Sequence, residues 1–358
     1  MNFNFFLKSF RILLFPVSLI YLLIIFIRNK LYDRNILGSA EFGLPLICVG
    51  NLSVGGTGKS PMVELLIRNL RSEFKVATLS RGYKRKTSGY TLAKETSTAL
   101  EIGDEPMQFK LKFPDIPVAV GEERLDAIPQ LLHDKPDIKC IVLDDAFQHR
   151  AIKAGLNILL TDYNNLFTRD FYLPTGDLRD LKSSYKRAEI IVVTKCDPNI
   201  SDDDRKKIIN EIRLQKGQEI FFTANKYSKP YHLINQQVTF ELTAETDVLL
   251  VTGIANPQPL KDLLNEHVNS YYFQHYPDHH IFSIDDWKEI KKRFDKIDSA
   301  QKMILTTEKD AVRLIKFSQL LNEMPVYIIP IQHHFLFDES EKFLTIVKSF
   351  IREFKLND

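Results

Sequence analysis

From Leu44 onward the chain alternates short apolar runs with longer mixed segments, the runs falling at Leu46–Val49, Lys75–Leu79, Pro117–Val120, Lys139–Leu143, Asn157–Leu160 and Ile190–Val193. Apolar runs this short, bounded by polar or turn residues, predict strands buried on both faces, and stretches between them such as Pro61–Leu70 carry a helical period. Repeated strand-helix-strand units predict a mostly parallel sheet with both faces covered, and Glu219–Thr223 adds one more strand. The pattern then changes. Lys226–Thr243 is polar, with Val238, Phe240 and Leu242 alternating, and reads as a strand-like connector. Beyond it, strands at Val248–Thr252, Tyr271–Phe273, Met303–Thr306 and Val326–Ile329 are separated by helical segments including Pro259–His267 and Ile284–Phe294. The expected division is an N-terminal segment at 1–35, a larger α/β domain at 36–228 and a smaller α/β domain at 229–358.

The N-terminal segment has a different pattern. Ile12–Ile27 is almost unbroken in apolar residues and is flanked by Lys8 and Arg11 on one side and Arg28, Lys30 and Arg34 on the other. About 16 residues is short of the roughly 20 that span a hydrocarbon core, and Pro16 is expected to kink or break a helix there. Basic flanks that reach phospholipid headgroups suit a monotopic helix lodged in one leaflet as well as a crossing one. A cleaved signal peptide would need a small-residue cleavage site, which is missing after Ile27.

Composition narrows the function classes. With 44% hydrophobic and 26% charged residues the chain is a folded globular protein, and a net charge of +2 is too mild for a nucleic-acid binder. Cys48, Cys140 and Cys196 lie in or beside apolar runs with no metal-site spacing, which fits a reducing cytosolic face.

The chemistry concentrates after the first strand, in Gly50-Asn51-Leu52-Ser53-Val54-Gly55-Gly56-Thr57-Gly58-Lys59-Ser60-Pro61. A glycine-rich turn that leaves a strand and opens a helix turns its N–H groups inward around phosphate oxygens. Lys59 reaches the β and γ phosphates and the Ser60 hydroxyl can ligate magnesium, so Ser53, Val54, Gly55, Gly56, Thr57, Gly58, Lys59 and Ser60 form the expected ATP-binding loop. Ser53 stands where the usual pattern has glycine. The fold class is therefore an α/β, P-loop NTPase-type, mostly parallel sheet domain with a second, smaller α/β domain and an N-terminal membrane helix.

Asp144 and Asp145 follow the strand ending at Leu143, at the sheet edge beside the loop, where a magnesium-orienting carboxylate belongs. Gln148 and His149 lie just beyond. Transfer to an alcohol also needs a group to accept the hydroxyl proton, for which Asp104 in Gly103-Asp104-Glu105-Pro106 is the candidate; a helix-entry turn is the competing reading. His279 or His280 could orient a carboxylate across a cleft, with metal binding and surface exposure as alternatives. Loops carrying Arg81, Lys84, Arg85, Lys86, Arg124, Arg150, Arg169 and Arg179 suit an anionic substrate, although solvent-exposed charge is the simpler account of Arg85 and Lys86. Against a kinase stands Thr194-Lys195-Cys196-Asp197, similar to the guanine-reading signature of GTPases. A GTPase switch and a lipid- or sugar-binding module with a degenerate nucleotide site are the rival readings.

Taken together, these blocks resemble the tetraacyldisaccharide 4'-kinase family of lipid A biosynthesis. The resemblance runs through both domains, on Gly50–Pro61, Ser80-Arg81-Gly82-Tyr83, Gly103–Pro106, Asp144–Arg150, Leu173–Arg179, Asp278-His279 and Thr306–Asp310. It implies transfer of the ATP γ phosphate, with Mg2+, to the 4'-hydroxyl of a tetraacylated disaccharide 1-phosphate, giving lipid IVA at the cytoplasmic face of the bacterial inner membrane. Membrane phospholipid is the implied surface partner, with no obligatory protein partner. By the same resemblance Asp104 is similar to the catalytic carboxylate, His279 to its histidine partner, Lys59 and Ser60 to the ATP and magnesium residues, and Asp144 and Asp145 to the metal-side acids. Tyr83, Arg124, Gln148, His149 and Arg179 match positions that line the nucleotide or lipid cleft. Ala146, Ser60 and Asp180 stand where the family has glycine, commonly threonine, and often glutamate.

Overall fold

The computed structural model describes residues 11–322 and 324–355; Lys8 and the outermost ends of the first and last expected segments lie outside them. Among the described residues fourteen strands form two sheets. In chain order they are β1 (Leu46–Asn51), β2 (Val76–Ser80), β3 (Thr91–Leu92), β4 (Val118–Val120), β5 (Cys140–Asp144), β6 (Leu156–Asp162), β7 (Ile190–Thr194), β8 (Glu219–Tyr227), β9 (Tyr231–His232), β10 (Asp247–Thr252), β11 (Ser270–His275), β12 (Lys302–Thr307), β13 (Val326–Ile329) and β14 (Ile331–Phe335). The larger sheet runs β14-β8-β7-β6-β1-β5-β2-β4-β3 and the smaller β11-β10-β12-β13-β9. Among the strands of the described residues only the pairs β3–β4, β14–β8 and β13–β9 are antiparallel; the rest are parallel, which requires crossover connections, most of them helical, although β5, β6 and β7 are joined without an α-helix.

Burial on both faces explains the continuous apolar runs. On one face of the larger sheet Cys48, Leu143, Leu159 and Val193 pack with Phe147 and Ile208; on the other, Ile47, Val142, Ile158 and Val192 pack with Met62, Leu66 and Leu70 of the helix Lys59–Leu70. The smaller sheet repeats this, with Leu249 and Ile304 against Trp287 on one face and Leu250 and Leu305 against Leu260 on the other. All three cysteines are buried and free.

Two findings modify the expected organisation. The chain crosses between sheets twice rather than once: β8 runs on into β9, and β13 returns through Pro330 into β14, which pairs antiparallel with β8. The helix Ser340–Arg352 then packs Phe343, Val347 and Ile351 onto the larger sheet, so residues 331–352 belong to the first body although they follow the second in sequence. Their spacing of four is a helical stripe, but periodicity does not say which sheet the stripe covers.

The second concerns the N-terminus. A short 3-10 turn, Ile12–Leu14, leads into the helix Phe15–Asp33, and Pro16 sits in its first turn instead of kinking its interior, because a first-turn residue has no intrahelical N–H bond to lose. Ile12–Asp33 is long and apolar enough to cross a membrane by composition. Yet one stripe is docked on the protein along its length. Ser18 Oγ donates to the Thr175 hydroxyl at 2.6 Å, Tyr21 to the Arg179 carbonyl at 3.2 Å, and buried Asn29 to Asp180 at 2.8 Å. The opposite face leaves Ile20, Leu23, Ile24 and Ile27 about half exposed or more. Arg11 and Arg28 are not free at the flanks, since Arg11 pairs with Asp177 at 2.8 Å and Arg28 donates to the Gln148 carbonyl at 2.8 Å.

Candidate active site

In the larger sheet β1 is flanked by β5 on one side and β6 on the other, the point where successive crossovers reverse direction and a crevice opens at the carboxyl ends of the strands. The glycine-rich loop leaves β1 here and enters the helix at Lys59, with Gly58 in the left-handed region (φ 86°) as its cap. Ser53 needs no glycine: it is not among the left-handed residues and bridges to Leu178. Gly50 does need to be glycine, because a Cβ there would lie 2.5 Å from the Phe147 Cβ. Asn51, to which the sequence reading assigned no role, holds the loop's shape. Its side-chain amide donates to the Thr57 hydroxyl at 2.9 Å, and its side-chain oxygen accepts from Arg179 at 2.5 Å.

The register pairs Val49 with Asp144, which sets both acids beside the start of the loop. Asp144 is 7% exposed; burial, then the Asp145 charge, push its carboxyl up to about 7. For Asp145 burial acts upward too, but Lys59 (3.7 Å) and the two-pronged grip of Arg179 outweigh it and hold that carboxyl below the ordinary aspartate range. Two adjacent acids thus take opposite protonation tendencies from their surroundings. Asp145 also adopts a left-handed backbone (φ 51°), a conformation that costs a non-glycine residue about 1 kcal/mol or more and clusters at functional sites.

Around them are buried polar atoms without partners: Arg124 Nε, Gln148 Oε1, His149 Nε2 and Arg179 Nε. Arg124 is 3% exposed, and its charge acts on both acids and on His149. Burial, then that charge, pull the His149 imidazole below its ordinary value. Gln148 donates to the Asn51 carbonyl at 2.8 Å. Unpaired buried groups of this kind mark a place where a polar ligand completes the hydrogen bonding.

A second cluster forms where the two sheets' domains meet. Asp104 opens the helix Asp104–Lys112 in the larger domain; His279, from the loop after β11, places Nδ1 3.0 Å from Asp104 Oδ2. Arg313, from the helix Glu308–Leu314 after β12, grips both oxygens, with Nε 2.9 Å from Oδ1. Burial would raise the Asp104 carboxyl, but Arg313 and then His279 overcome it and keep it below the ordinary value. Lys309 lies 3.3 Å from His279 Nε2 and 3.0 Å from Asp278, and exposed Tyr83 sets its ring 5.9 Å from the His279 ring. His279, like Asp145, is left-handed (φ 65°). Arg313 was missed by sequence reasoning. The signal available was its spacing, one helical turn beyond Lys309 and on the same face.

Other expected residues have different duties. His280 is bonded to Asp286 at 2.9 Å and stacks on Tyr276, away from Asp104. Arg85, expected to be exposed, has a side chain only 1% exposed and pairs with Glu122 at 2.6 Å. In the signature that favoured a GTPase, Lys195 is paired with Asp162 at 2.6 Å, Asp197 accepts from the Asn199 N–H at 2.8 Å, and the Thr194 hydroxyl donates to the Thr57 carbonyl at 3.0 Å. These groups brace a turn and the phosphate loop. Among the described residues no group of three His, Cys, Asp or Glu is placed to hold a metal alone.

A phosphate-binding loop at a sheet switch point, with an ionised carboxylate held across a domain cleft, defines a two-domain P-loop phosphotransferase. The Tetraacyldisaccharide-1-P 4'-kinase family model matches residues 10–352. Proteins named tetraacyldisaccharide 4'-kinase are 44% identical in Bacteroides thetaiotaomicron, covering 95% of this chain and 93% of the relative, and 44% identical in Flavobacterium johnsoniae, covering 96% and 98%. The crystal structure of LpxK from Aquifex aeolicus in complex with ATP shares 28% identity, covers 94% of this chain and 99% of that one, and superposes with a TM-score of 0.74. The chain belongs to the tetraacyldisaccharide 4'-kinase family, an enzyme family.

Proposed function

We propose that this enzyme transfers the γ phosphate of ATP to the 4'-hydroxyl of a tetraacyldisaccharide 1-phosphate, the step that produces lipid IVA. Family membership supports the reaction, and the observation that carries its mechanism is the Asp104–His279–Arg313 cluster beside the cleft. A carboxylate offers about four lone-pair sites. Arg313 Nε, Arg313 Nη2 and His279 Nδ1 take three, leaving one on Oδ1 for the acceptor hydroxyl. Asp104, already ionised, accepts that proton, while His279 and Arg313 keep the carboxylate aimed.

Backbone N–H groups of Gly55, Gly56, Gly58, Lys59 and Ser60, with the Lys59 ammonium, hold the triphosphate, whose charge they stabilise as the bond to the leaving oxygen loosens; the Val54 N–H, expected among them, is instead bonded to the Asp177 carbonyl at 2.8 Å and that of Thr57 to the Gly55 carbonyl at 3.1 Å. Mg2+ fits as an ion that arrives with the nucleotide, since it is ordinarily held by a hydroxyl or one or two carboxylates plus phosphates and waters and not by an all-protein cage. Ser60 with Asp144 or Asp145 would hold it, and it would supply positive charge to offset that of the phosphates. Arg124, Gln148, His149 and Arg179, with their unpaired buried atoms, and Tyr83 beside His279 would line the side taken by the sugar and its existing phosphate.

An acceptor with four acyl chains leaves a bilayer at a cost of about 0.8 kcal/mol per methylene exposed. The helix Phe15–Asp33 meets that need with its free apolar face, while its docked stripe keeps it against the loops at 148–150 and 172–180 that border the acids. These polar contacts, which crossing would strip, support a monotopic helix over a crossing one, lodged in the cytoplasmic leaflet on this reading. Purified enzyme incubated with γ-labelled ATP and lipid A disaccharide 1-phosphate in detergent should yield labelled lipid, and Lys59→Ala should not. Wild-type enzyme that labels no lipid, or that uses GTP in preference, would refute the reading.

A further inference from the structure

Two consecutive peptide groups of the phosphate loop are held from behind by side chains of distant strands. The Thr57 carbonyl accepts from the Thr194 hydroxyl of β7 at 3.0 Å, and the Gly58 carbonyl accepts from His333 Nε2 of β14 at 2.8 Å. A trans peptide is planar with C=O and N–H pointing in opposite directions. Fixing these two oxygens therefore fixes the directions of the Gly58 and Lys59 N–H groups, which turn away from the bracing side chains.

His333 is suited to this and to little else. It is 7% exposed and sits against Gly58 so closely that a Cβ there would lie 2.8 Å from its Cε1. Its other nitrogen, Nδ1, is 3.0 Å from Thr223 Oγ1 of β8. With the Gly58 carbonyl able only to accept, Nε2 must carry the proton; Nδ1 is then the acceptor of the Thr223 hydroxyl, and one tautomer is selected. The imidazole touches neither Asp144, Asp145, Asp104 nor His279 in the contacts among the described residues, so the phosphotransfer chemistry above does not use it.

We propose that His333 is a positioning residue for nucleotide binding: held as its Nε2–H tautomer by Thr223, it pins the Gly58 peptide and aims the Lys59 amide, with Thr194 doing the same for the Gly58 amide, so that the loop meets the triphosphate preformed. This rests on the kinase reading of the loop. Preorganised donors bind an anion more tightly because less ordering remains to be done on binding. His333 enters on the strand that follows the smaller domain, so the last segment to return to the larger sheet finishes the loop that the first strand begins.

Titration calorimetry with ATP and with inorganic triphosphate tests this on His333→Leu, which keeps bulk but has no donor, and His333→Gln, whose amide places a donor near the same point. Losing one such bond should weaken both ligands about tenfold in His333→Leu, leave KM for the lipid within about twofold, and be mostly restored in His333→Gln. A folded His333→Leu with unchanged affinities overturns the proposal. So does a His333→Gln no better than leucine, or a loss confined to ATP and not seen with triphosphate. Should His333→Leu not fold, Thr223→Val keeps the imidazole but frees its tautomer, and an affinity unchanged in that variant is equally fatal. Failure of the wild type to bind ATP would reject the nucleotide reading itself and this proposal with it.

Discussion

The half of the site proposed to bind phosphate and the half proposed to accept the proton are built in different ways. Lys59, Asp145, Asn51 and Arg179 all come from the larger domain and already contact one another. Asp104, by contrast, is completed only by His279 and Arg313, which lie 175 and 209 residues further along on the smaller domain. One half is a fixed cradle; the other exists only while the domains are together. If Asp104 is the base proposed above, the phosphate grip is ready before the acceptor arrives, and the base is completed only where the two domains meet.

Substitutions should separate these halves. Asp104→Asn, which keeps shape but cannot take a proton, should lower kcat by about 10³ or more and leave ATP affinity within about threefold; stopped-flow nucleotide binding beside steady-state rates checks this. Phe343→Ala strips a fully buried ring from the face of the larger sheet that also packs the helix Lys59–Leu70, and should cost about 3–5 kcal/mol in a urea titration. An equal change in a smaller-domain exposed position should cost almost nothing. Arg313→Met should lower kcat by about a hundredfold, the range of a lost charged hydrogen bond in a buried setting. It should also move the acid limb of the pH–rate profile to higher pH, because burial then raises the Asp104 carboxyl without Arg313 to oppose it.

The mildest test uses His333, whose folded-state value is pulled down by burial to about 4 from an ordinary 6.5. Between those values the unfolded chain binds the extra proton and the folded one does not. Stability supplied by the neutral ring is therefore present above about 6.5 and lost as pH falls toward 4. Thermal melts of the nucleotide-free enzyme should show this acid-side loss, and His333→Gln should lack that component.

How legible each half was in the sequence follows from the same difference. The loop from Ser53 to Ser60 is contiguous, and its chemistry depends on residue types at fixed spacing, so it was readable without a structure. Asp144 and Asp145 were legible because a strand end fixes where they go. Asp104 and His279 were named, but their approach to within 3.0 Å rested on resemblance, since spacing in a chain says nothing of contacts across a cleft. Arg313 and His333 were not read at all: a basic residue on an amphipathic helix and a histidine in a strand look like surface or core until the partner is seen. The return of residues 331–352 to the larger sheet escaped for a similar reason. A single Pro330 separates β13 from β14, too short a break to mark a change of domain. In the N-terminal helix, Ser18, Tyr21 and Asn29 do fall on one stripe, but the apolar content around them hides it.

The claim that most needs testing is that both domains act on one carboxylate. A double-mutant cycle on kcat with Asp104→Asn, Arg313→Met and the pair measures it directly, because residues that act as a unit do not add. The double variant should be no slower than Asp104→Asn alone. Multiplicative losses, with Arg313→Met costing the same in either background, would show that the two side chains serve separate ends.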